Sequence, residues 1–256
     1  MMAAKNGASA EPASGSTVDA EEVAKFAAMA EAWWDPLGKF KPLHKFNPVR
    51  LAYIRDRVCA HFGREPRSKT PLEGLRLLDI GCGGGLVAEP MRRLGADVTA
   101  IDAVDKNIEV ARLHASQSGL EIDYRNTTVE DLAAEQIEPF DIVLNLEVVE
   151  HVADVDLFLT TAARLVKPGG VMLLASINRT VKAFALAKVG AEYVLRWLPA
   201  GTHDPRKFVK PDEAKSALAR GGMTVTGETG VTYFPLLDIW RITDDVAVNY
   251  MLSAVK

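Results

Sequence analysis

Two carboxylates and one imidazole lie close together near the middle of the chain. Glu147, Glu150 and His151 are three and four positions apart. On a helix this spacing places side chains on one face, so we expect the three groups to lie together. Such donors can bind a divalent cation such as Mg²⁺, hold a phenol or supply a general base. They are our candidate catalytic and metal residues; the alternative is a histidine that caps or orients the following loop.

A glycine-rich loop precedes this cluster in the chain. Asp79, Gly81, Gly83 and Gly85 form a D-x-G-x-G-x-G pattern. Glycines let the backbone turn tightly and approach a ligand closely. The acidic residue at the start of the loop suits an ammonium group but would repel a pyrophosphate. The pattern therefore favours S-adenosylmethionine, which has an ammonium group and no phosphate, over a nicotinamide dinucleotide.

Three further residues are candidates for binding that cofactor. Asp102 ends the second predicted strand, where its carboxylate can accept hydrogen bonds from both ribose hydroxyls. Glu130 lies where we expect the adenine, although a surface turn explains it equally well. Leu146 ends the fourth predicted strand and faces the crevice, although core packing is an equal alternative. The segment Lys167-Pro168-Gly169-Gly170, before the fifth strand, completes a context typical of methyltransferases.

Buried strands must position these residues. Short apolar runs alternate with helical segments, which predicts a doubly wound α/β sheet. We expect the Rossmann-like fold of class I S-adenosylmethionine-dependent methyltransferases, with seven strands and a C-terminal hairpin. The four clearest strands are predicted at 77–80, 98–101, 142–146 and 171–176, and the arms of the hairpin at 223–229 and 231–236.

We expect a single methyltransferase domain over residues 19–256. Residues 1–18 are mostly small and polar and predict a disordered tail. N-terminal helices are predicted within 19–70, the second of them beginning at Pro48. A helical insert at 178–210, after strand five, has an apolar face beside basic residues. It is interpreted either as a lid over the site or as a membrane-contact segment.

Composition limits the classes of function. The chain has 256 residues and a net charge of −4, without the basic excess typical of nucleic-acid-binding domains, so no nucleic-acid partner is expected. It has two cysteines, no long apolar run and no signal peptide. These features predict a cytoplasmic protein that is not integral to a membrane.

Several motifs together resemble the ubiquinone-biosynthesis O-methyltransferases. The likeness runs from about Ala24 to Trp240. Besides the glycine loop and the acidic-histidine cluster, it includes Trp33-Trp34-Asp35-Pro36, Phe40-Lys41-Pro42-Leu43-His44, Asn47-Pro48-Val49-Arg50-Leu51, Ser176-Ile177-Asn178-Arg179-Thr180 and Gly201-Thr202-His203-Asp204. The resemblance implies methylation of phenolic hydroxyls on 2-polyprenyl-6-hydroxyphenol and 3-demethylubiquinol.

The resemblance also implies roles for particular residues. Arg50 falls on a cofactor-binding position, where a guanidinium suits the cofactor's carboxylate. We expect Trp34, His44 and Tyr193 to wall the acceptor pocket. The other positions matched are Gly81, Asp102 and Leu146 for the cofactor and Glu147, Glu150 and His151 for a divalent cation. Implied partners are anionic lipids on the inner face of the membrane and a ubiquinone-biosynthesis complex.

Two other functions remain open at this point. One is methylation of a soluble small molecule, which would need neither the metal cluster nor the insert. The other is a non-catalytic, cofactor-binding membrane adaptor. Turnover on a quinol precursor would distinguish both from the function that the resemblance implies.

Overall fold

The computed structural model describes residues 16–185 and 205–256. Within these residues, helices pack on both faces of one mixed sheet. The strands are β1 (Arg76–Ile80), β2 (Asp97–Asp102), β3 (Asp123–Asn126), β4 (Phe140–Leu146), β5 (Val166–Ile177), β6 (Thr224–Phe234), β7 (Ile239–Thr243) and β8 (Asn249–Val255). The α-helices are α1 (Ala20–Ala27), α2 (Lys41–Phe62), α3 (Ala88–Arg93), α4 (Asp105–Gln117), α5 (Val129–Ala134), α6 (Val155–Arg164), α7 (Val181–Ala183) and α8 (Pro211–Arg220).

The sheet order is β3-β2-β1-β4-β5-β8-β6-β7. Strands β1 to β5 are parallel, whereas β8 runs antiparallel to β5 and to β6. The carboxyl ends of all five parallel strands therefore meet at one edge of the sheet. The chain reverses direction across the sheet between β1 and β4, which is where open α/β sheets bind their ligands.

Alternate side chains of the parallel strands build a core on each face of the sheet. On one face Leu77 of β1 packs with Ile54 of α2 and Met91 of α3. On the other face Leu78 of β1 packs with Leu159 of α6. The burial of both strand faces explains the nearly continuous apolar runs in the sequence.

The predicted doubly wound sheet is confirmed, but its C-terminal part differs from our expectation. The sheet has eight strands among the described residues, not seven. The two arms predicted for a hairpin form one strand, β6, which pairs with β7 and β8. Gly230, which lies between the two predicted arms, is a point of close backbone approach within β6, since an added Cβ would clash with the carbonyl oxygen of Asp245.

The N-terminal helices also differ from the prediction. Helix α1 ends at Ala27. Helix α2 begins at Lys41, seven residues before its predicted start at Pro48, which lies inside the helix. Thr17 and Val18, which we had assigned to the tail, are placed against the domain, and Val18 forms a bridge with Val152. Residues 1–15 of that tail and residues 186–204 of the predicted insert lie outside the described residues. No described helix is both long enough and apolar enough to span a bilayer.

We predict that Leu78→Ala lowers the free energy of unfolding by about 2–5 kcal/mol, because it leaves a cavity in the central strand. Leu78 is fully buried. Leu113, on α4, is 61% exposed, so Leu113→Ala is the matched control and should change stability by less than about 0.5 kcal/mol. Urea unfolding measures both variants. Equal losses of unfolding free energy in the two variants would contradict this account of the core.

Candidate active site

A cavity of about 270 Å³ opens at the carboxyl ends of β1, β2 and β4. The glycine loop after β1 forms its floor, and residues from α1 and α2 cover it. The candidate catalytic, metal and cofactor-binding residues all line this cavity: Arg50, Asp79, Gly81, Gly83, Asp102, Glu130, Leu146, Glu147, Glu150 and His151. The topology therefore brings together residues that are up to about a hundred positions apart in the chain.

The glycine loop is packed too tightly for side chains. Gly81 and Gly83 adopt left-handed backbone angles, with φ of 69° and 54°. A Cβ at Gly83 would lie 2.4 Å from the ring of Trp33, and one at Gly81 would lie 2.5 Å from Val148. The glycines therefore allow both the left-handed turn of the loop and the close approach of the Trp33 indole.

Asp102 is held by three donors at the end of β2. Its Oδ2 accepts a hydrogen bond from the Gly83 amide at 2.9 Å. Its Oδ1 accepts from the Val104 amide at 2.8 Å and from Asn107 Nδ2 at 3.2 Å. Asn107 in turn accepts a 2.8 Å hydrogen bond from the indole of Trp33. Although these bonds favour the ionised form, burial raises the pKa of Asp102.

Sequence reasoning missed the roles of Trp33 and Asn107. In the sequence Trp33 stands out only as part of the Trp33-Trp34-Asp35-Pro36 motif, yet it lies on the glycine loop and lines the cavity. The aromatic residues next to Trp33, which are unusual in a turn-rich segment, were the sequence signal that could have indicated its place at the cavity. Asn107 carried no sequence signal, because its role depends on where α4 begins after β2.

Arg50 and Asp79 carry buried polar atoms that lack a partner. The two residues are 4% and 2% exposed. Among the described residues, Arg50 Nε and Nη1 and Asp79 Oδ2 have no hydrogen-bond partner. The carboxyl oxygen Oε1 of Glu147 lies 3.7 Å from Arg50 Nη1. An unsatisfied guanidinium and carboxyl lining one cavity suit the carboxylate and ammonium groups of an amino acid.

Burial shifts the pKa of both groups. It raises the pKa of Asp79 to about 7, an effect that Arg50 opposes and Asp102 reinforces. It lowers the pKa of Arg50, while Glu147 and Asp79 act in the other direction. The carboxyl of Asp79 therefore titrates near neutral pH until a cation binds beside it.

Glu130 and Leu146 complete the side of the cavity near β2 and β4. Glu130 Oε1 accepts a 2.6 Å hydrogen bond from the hydroxyl of Thr17. Glu130 Oε2 is buried and has no partner among the described residues. Leu146 ends β4 with 8% of its surface exposed. The carboxylate of Glu130 is thus not on a surface turn, and it contacts the segment that precedes α1.

The backbone after β4 does not continue as a helix. Glu147 has a φ of 57°, in the left-handed region, and a single 3₁₀ turn then spans Val149–His151. Our expectation that Glu147, Glu150 and His151 share one helical face is therefore wrong. The left-handed residue redirects the chain, and a 3₁₀ turn has a different periodicity from an α-helix.

Glu147 and Glu150 bring two carboxyl groups close together. Burial, together with repulsion from Glu150, raises the pKa of Glu147 to about 8. Ser176 on β5 donates a 2.8 Å hydrogen bond to Glu150 Oε2. Two such carboxyl groups hold a shared proton to a higher pH than an isolated carboxyl would, and this proton can be donated in a hydrogen bond into the cavity.

His151 is bound to the N-terminal helix. Its Nδ1 lies 3.0 Å from Glu22 Oε2 on α1, and Phe26 packs edge-on against its ring with centroids 5.1 Å apart. The hydrogen bond with His151 lowers the pKa of Glu22 to about 2. Lys207 also contacts Glu22, with Nζ 3.1 Å from Oε1. Glu22 was not among our candidates, because a contact between residues 129 positions apart leaves no local signal.

The expected metal site is not formed by these side chains. Within residues 16–185 and 205–256, no three histidine, cysteine or acidic side chains lie together so that they could hold a metal ion. His151 faces Glu22, Glu150 accepts from Ser176, and Glu147 lies beside Arg50. In this arrangement the three residues do not fit a divalent cation, and no step of the chemistry below passes through one.

The aromatic walls of the cavity differ from those expected. Trp34 and His44 do not line it: the indole of Trp34 donates to the carbonyl oxygen of Gly84 at 2.8 Å, and His44 bonds the carbonyl oxygen of Trp33. Tyr193 lies outside the described residues. The aromatic side chains that do line the cavity are Phe26, Trp33, Phe40 and Phe158.

Comparison with known proteins identifies the family. Residues 78–174 match the family described as "Methyltransferase domain". The ubiquinone biosynthesis O-methyltransferase of Chelativorans sp. (strain BNC1) is 62% identical over 240 residues, which cover 94% of each chain. The protein of that name from Sinorhizobium fredii is also 62% identical, over 94% of this chain and 96% of the relative. The chain belongs to the ubiquinone biosynthesis O-methyltransferase family.

Members of this family share their fold with more distant methyltransferases. The plantazolicin methyltransferase BamL superposes with a TM-score of 0.61 at 14% identity, over 92% of this chain and 97% of its own. Magnesium protoporphyrin IX methyltransferase from Synechocystis, solved with bound SAM, gives 0.54 at 16% identity, over 83% and 82% of the two chains. At such identities the likeness concerns the fold alone. It confirms the predicted class I methyltransferase fold.

We predict that the protein binds S-adenosylhomocysteine about tenfold more weakly near pH 6 than near pH 8, because protonation of Asp79, with its pKa near 7, removes the partner of the ligand's ammonium group. Isothermal titration calorimetry measures this affinity. Asp79→Asn should bind weakly at both pH values and show little pH dependence. The same pH dependence in Asp79→Asn would assign the effect to another group.

Proposed function

We propose that this protein transfers the methyl group of S-adenosylmethionine to phenolic hydroxyls of polyprenylated ubiquinone precursors. The acceptors we expect are 2-polyprenyl-6-hydroxyphenol and 3-demethylubiquinol. The observation that carries the proposal is the single cavity in which the unsatisfied atoms of Arg50 and Asp79 lie with the imidazole of His151. Membership of the family supports the choice of substrate class.

The cofactor fits the polar groups on the strand side of the cavity. In the proposed arrangement Arg50 binds the methionine carboxylate and Asp79 the ammonium group, so that two buried charges gain partners. Asp102 accepts hydrogen bonds from the ribose hydroxyls. Glu130 lies beyond Asp102, at the adenine end, and Leu146 packs against the cofactor from the end of β4.

His151 is the proposed catalytic base. A phenol has a pKa of about 10, so it must lose its proton, at least in part, to become a good nucleophile. When bound, S-adenosylmethionine supplies an electrophilic methyl group on its sulfonium sulfur. His151 accepts the phenolic proton as the oxygen approaches in line, and the cavity holds the two reactants together. The proton on the Glu147 and Glu150 pair is available to hydrogen-bond a neighbouring oxygen of the acceptor.

The remaining walls suit a hydrophobic acceptor. Residues of α1, of α2 and of the segment between them give this part of the cavity an apolar surface, formed by Val23, Phe26, Met29, Pro42 and Leu43. A polyprenyl chain would bury apolar area there at about 25 cal/mol per Å². We also propose peripheral contact with anionic membrane lipids and association with a ubiquinone-biosynthesis complex, since the acceptor's chain partitions into a bilayer.

Methyl transfer tests this proposal directly. The protein should methylate a short-prenyl demethylubiquinol when it is supplied with labelled S-adenosylmethionine. It should act more weakly on a catechol without a prenyl chain, because that acceptor leaves the apolar wall uncovered. Parallel reactions with EDTA, and with Mg²⁺ added back, measure any dependence on a divalent cation.

Each contrary outcome indicates a different function. Equal turnover of the unprenylated catechol would favour methylation of a soluble small molecule. Tight cofactor binding without turnover of any quinol precursor would favour an adaptor. Activity that disappears with EDTA and returns with Mg²⁺ would mean that Glu147, Glu150 and His151 rearrange around a cation during the reaction.

A further inference from the structure

We propose that Glu22 is a positioning residue of the acceptor site, which holds His151 through Nδ1 and leaves Nε2 to face the phenol. The inference rests on the proposed function and extends the site to the N-terminal helix. Neither the glycine loop nor the strands supply a partner for this imidazole among the described contacts. Helix α1 does, through Glu22, which lines the same cavity.

The contact is direct and shielded from solvent. Glu22 Oε2 lies 3.0 Å from His151 Nδ1, and the two side chains are only 14% and 19% exposed. A carboxylate can only accept a hydrogen bond, so Nδ1 must carry the proton in this contact. The neutral ring then has one basic nitrogen left, Nε2. Glu22 therefore sets both the tautomer and the orientation of the ring.

Glu22 is itself fixed in place. Lys207 Nζ lies 3.1 Å from Glu22 Oε1 and 2.8 Å from Asp19 Oδ2. Asp19 also caps α1 by accepting from the amides of Glu21 and Glu22. A lysine that joins two carboxylates on one helix restricts the rotamers of Glu22. The carboxylate is thus already placed before the acceptor arrives.

The segment before α1 is anchored beside His151. Val18 forms a bridge with Val152, and the amide of Ala153 donates to the carbonyl oxygen of Thr17 at 2.9 Å. These backbone contacts join the residues next to His151 to those just before Glu22. They fix the spacing of the two side chains independently of the helix. The pair is therefore supported by backbone contacts as well as by a side-chain hydrogen bond.

Three substitutions of Glu22 and one control test the role. Glu22→Ala removes the acceptor, Glu22→Gln keeps an uncharged oxygen, and Glu22→Asp keeps the charge on a shorter side chain. Glu21→Gln is the control, because Glu21 is exposed and adjacent on the same helix. Methylation of a short-prenyl demethylubiquinol is measured for each variant, with kcat and the KM values for both substrates.

We expect Glu22→Ala to lower kcat by about 10- to 100-fold, less than the roughly 10²- to 10⁴-fold that a general base itself contributes, because His151 is still present in the variant. KM for S-adenosylmethionine should stay within about twofold, because the cofactor contacts lie elsewhere in the cavity. Glu22→Gln and Glu22→Asp should recover part of kcat, and Glu21→Gln should match the wild type. A helix that merely covers the site would instead raise KM, and all three Glu22 variants would behave alike.

Two further measurements separate positioning from a structural role. Nitrogen-15 NMR of the histidine rings should show His151 with its proton on Nδ1 in the wild type and with a changed tautomer in Glu22→Ala. In a His151→Ala background, Glu22→Ala should cost little further activity, because the two residues act as one unit. An unchanged tautomer in Glu22→Ala, or additive losses of kcat, would overturn the proposal. If the wild type transfers no methyl group, the proposed function fails, and the NMR result alone decides the role of Glu22.

Discussion

Burying a charge without a partner is expensive, and the cavity of this protein buries a guanidinium and a carboxyl with atoms unsatisfied. Arg50 and Asp79 keep this arrangement because, among the described residues, β1 belongs to both of the two largest cores and α2 to one of them. The free energy gained by packing those cores offsets the cost of burying the two polar groups. The same cost favours any ligand that brings an ammonium and a carboxylate to the pair. An amino-acid group that carries both charges would therefore gain binding free energy at the carboxyl edge of the sheet.

Much of the fold could be predicted from the sequence, because buried parallel strands have an unmistakable apolar pattern. The predicted strands at 77–80, 98–101, 142–146 and 171–176 fall within β1, β2, β4 and β5. The C-terminal strands were harder to predict. β8 was missed, and since it lies between β5 and β6, its position depends on pairing that local patterns do not encode. Pro48 suggested a helix start, yet α2 tolerates it in its interior.

The placement of Asp79 and Asp102 in the cavity could be predicted, because both lie at the carboxyl ends of strands whose position the pattern fixes. The arrangement of the acidic-histidine cluster could not. The spacing of Glu147, Glu150 and His151 suggested a shared helical face, but the left-handed Glu147 and a 3₁₀ turn replace that helix. The partners of the site from the N-terminal segment come from tertiary packing, which a single sequence does not reveal. Two contacts arise in this way: Trp33 packs on the glycine loop, and Glu22 bonds His151.

A crystal structure with S-adenosylhomocysteine bound would test the central claim most directly, namely that this cavity receives the methyl donor through its buried charges. We predict that the ligand's carboxylate bonds Arg50, its ammonium group bonds Asp79, and its ribose hydroxyls bond Asp102. The sulfur should then face the side of the cavity that holds His151. A ligand whose amino-acid end lies away from Arg50 and Asp79, or whose ribose lies away from Asp102, would contradict the account.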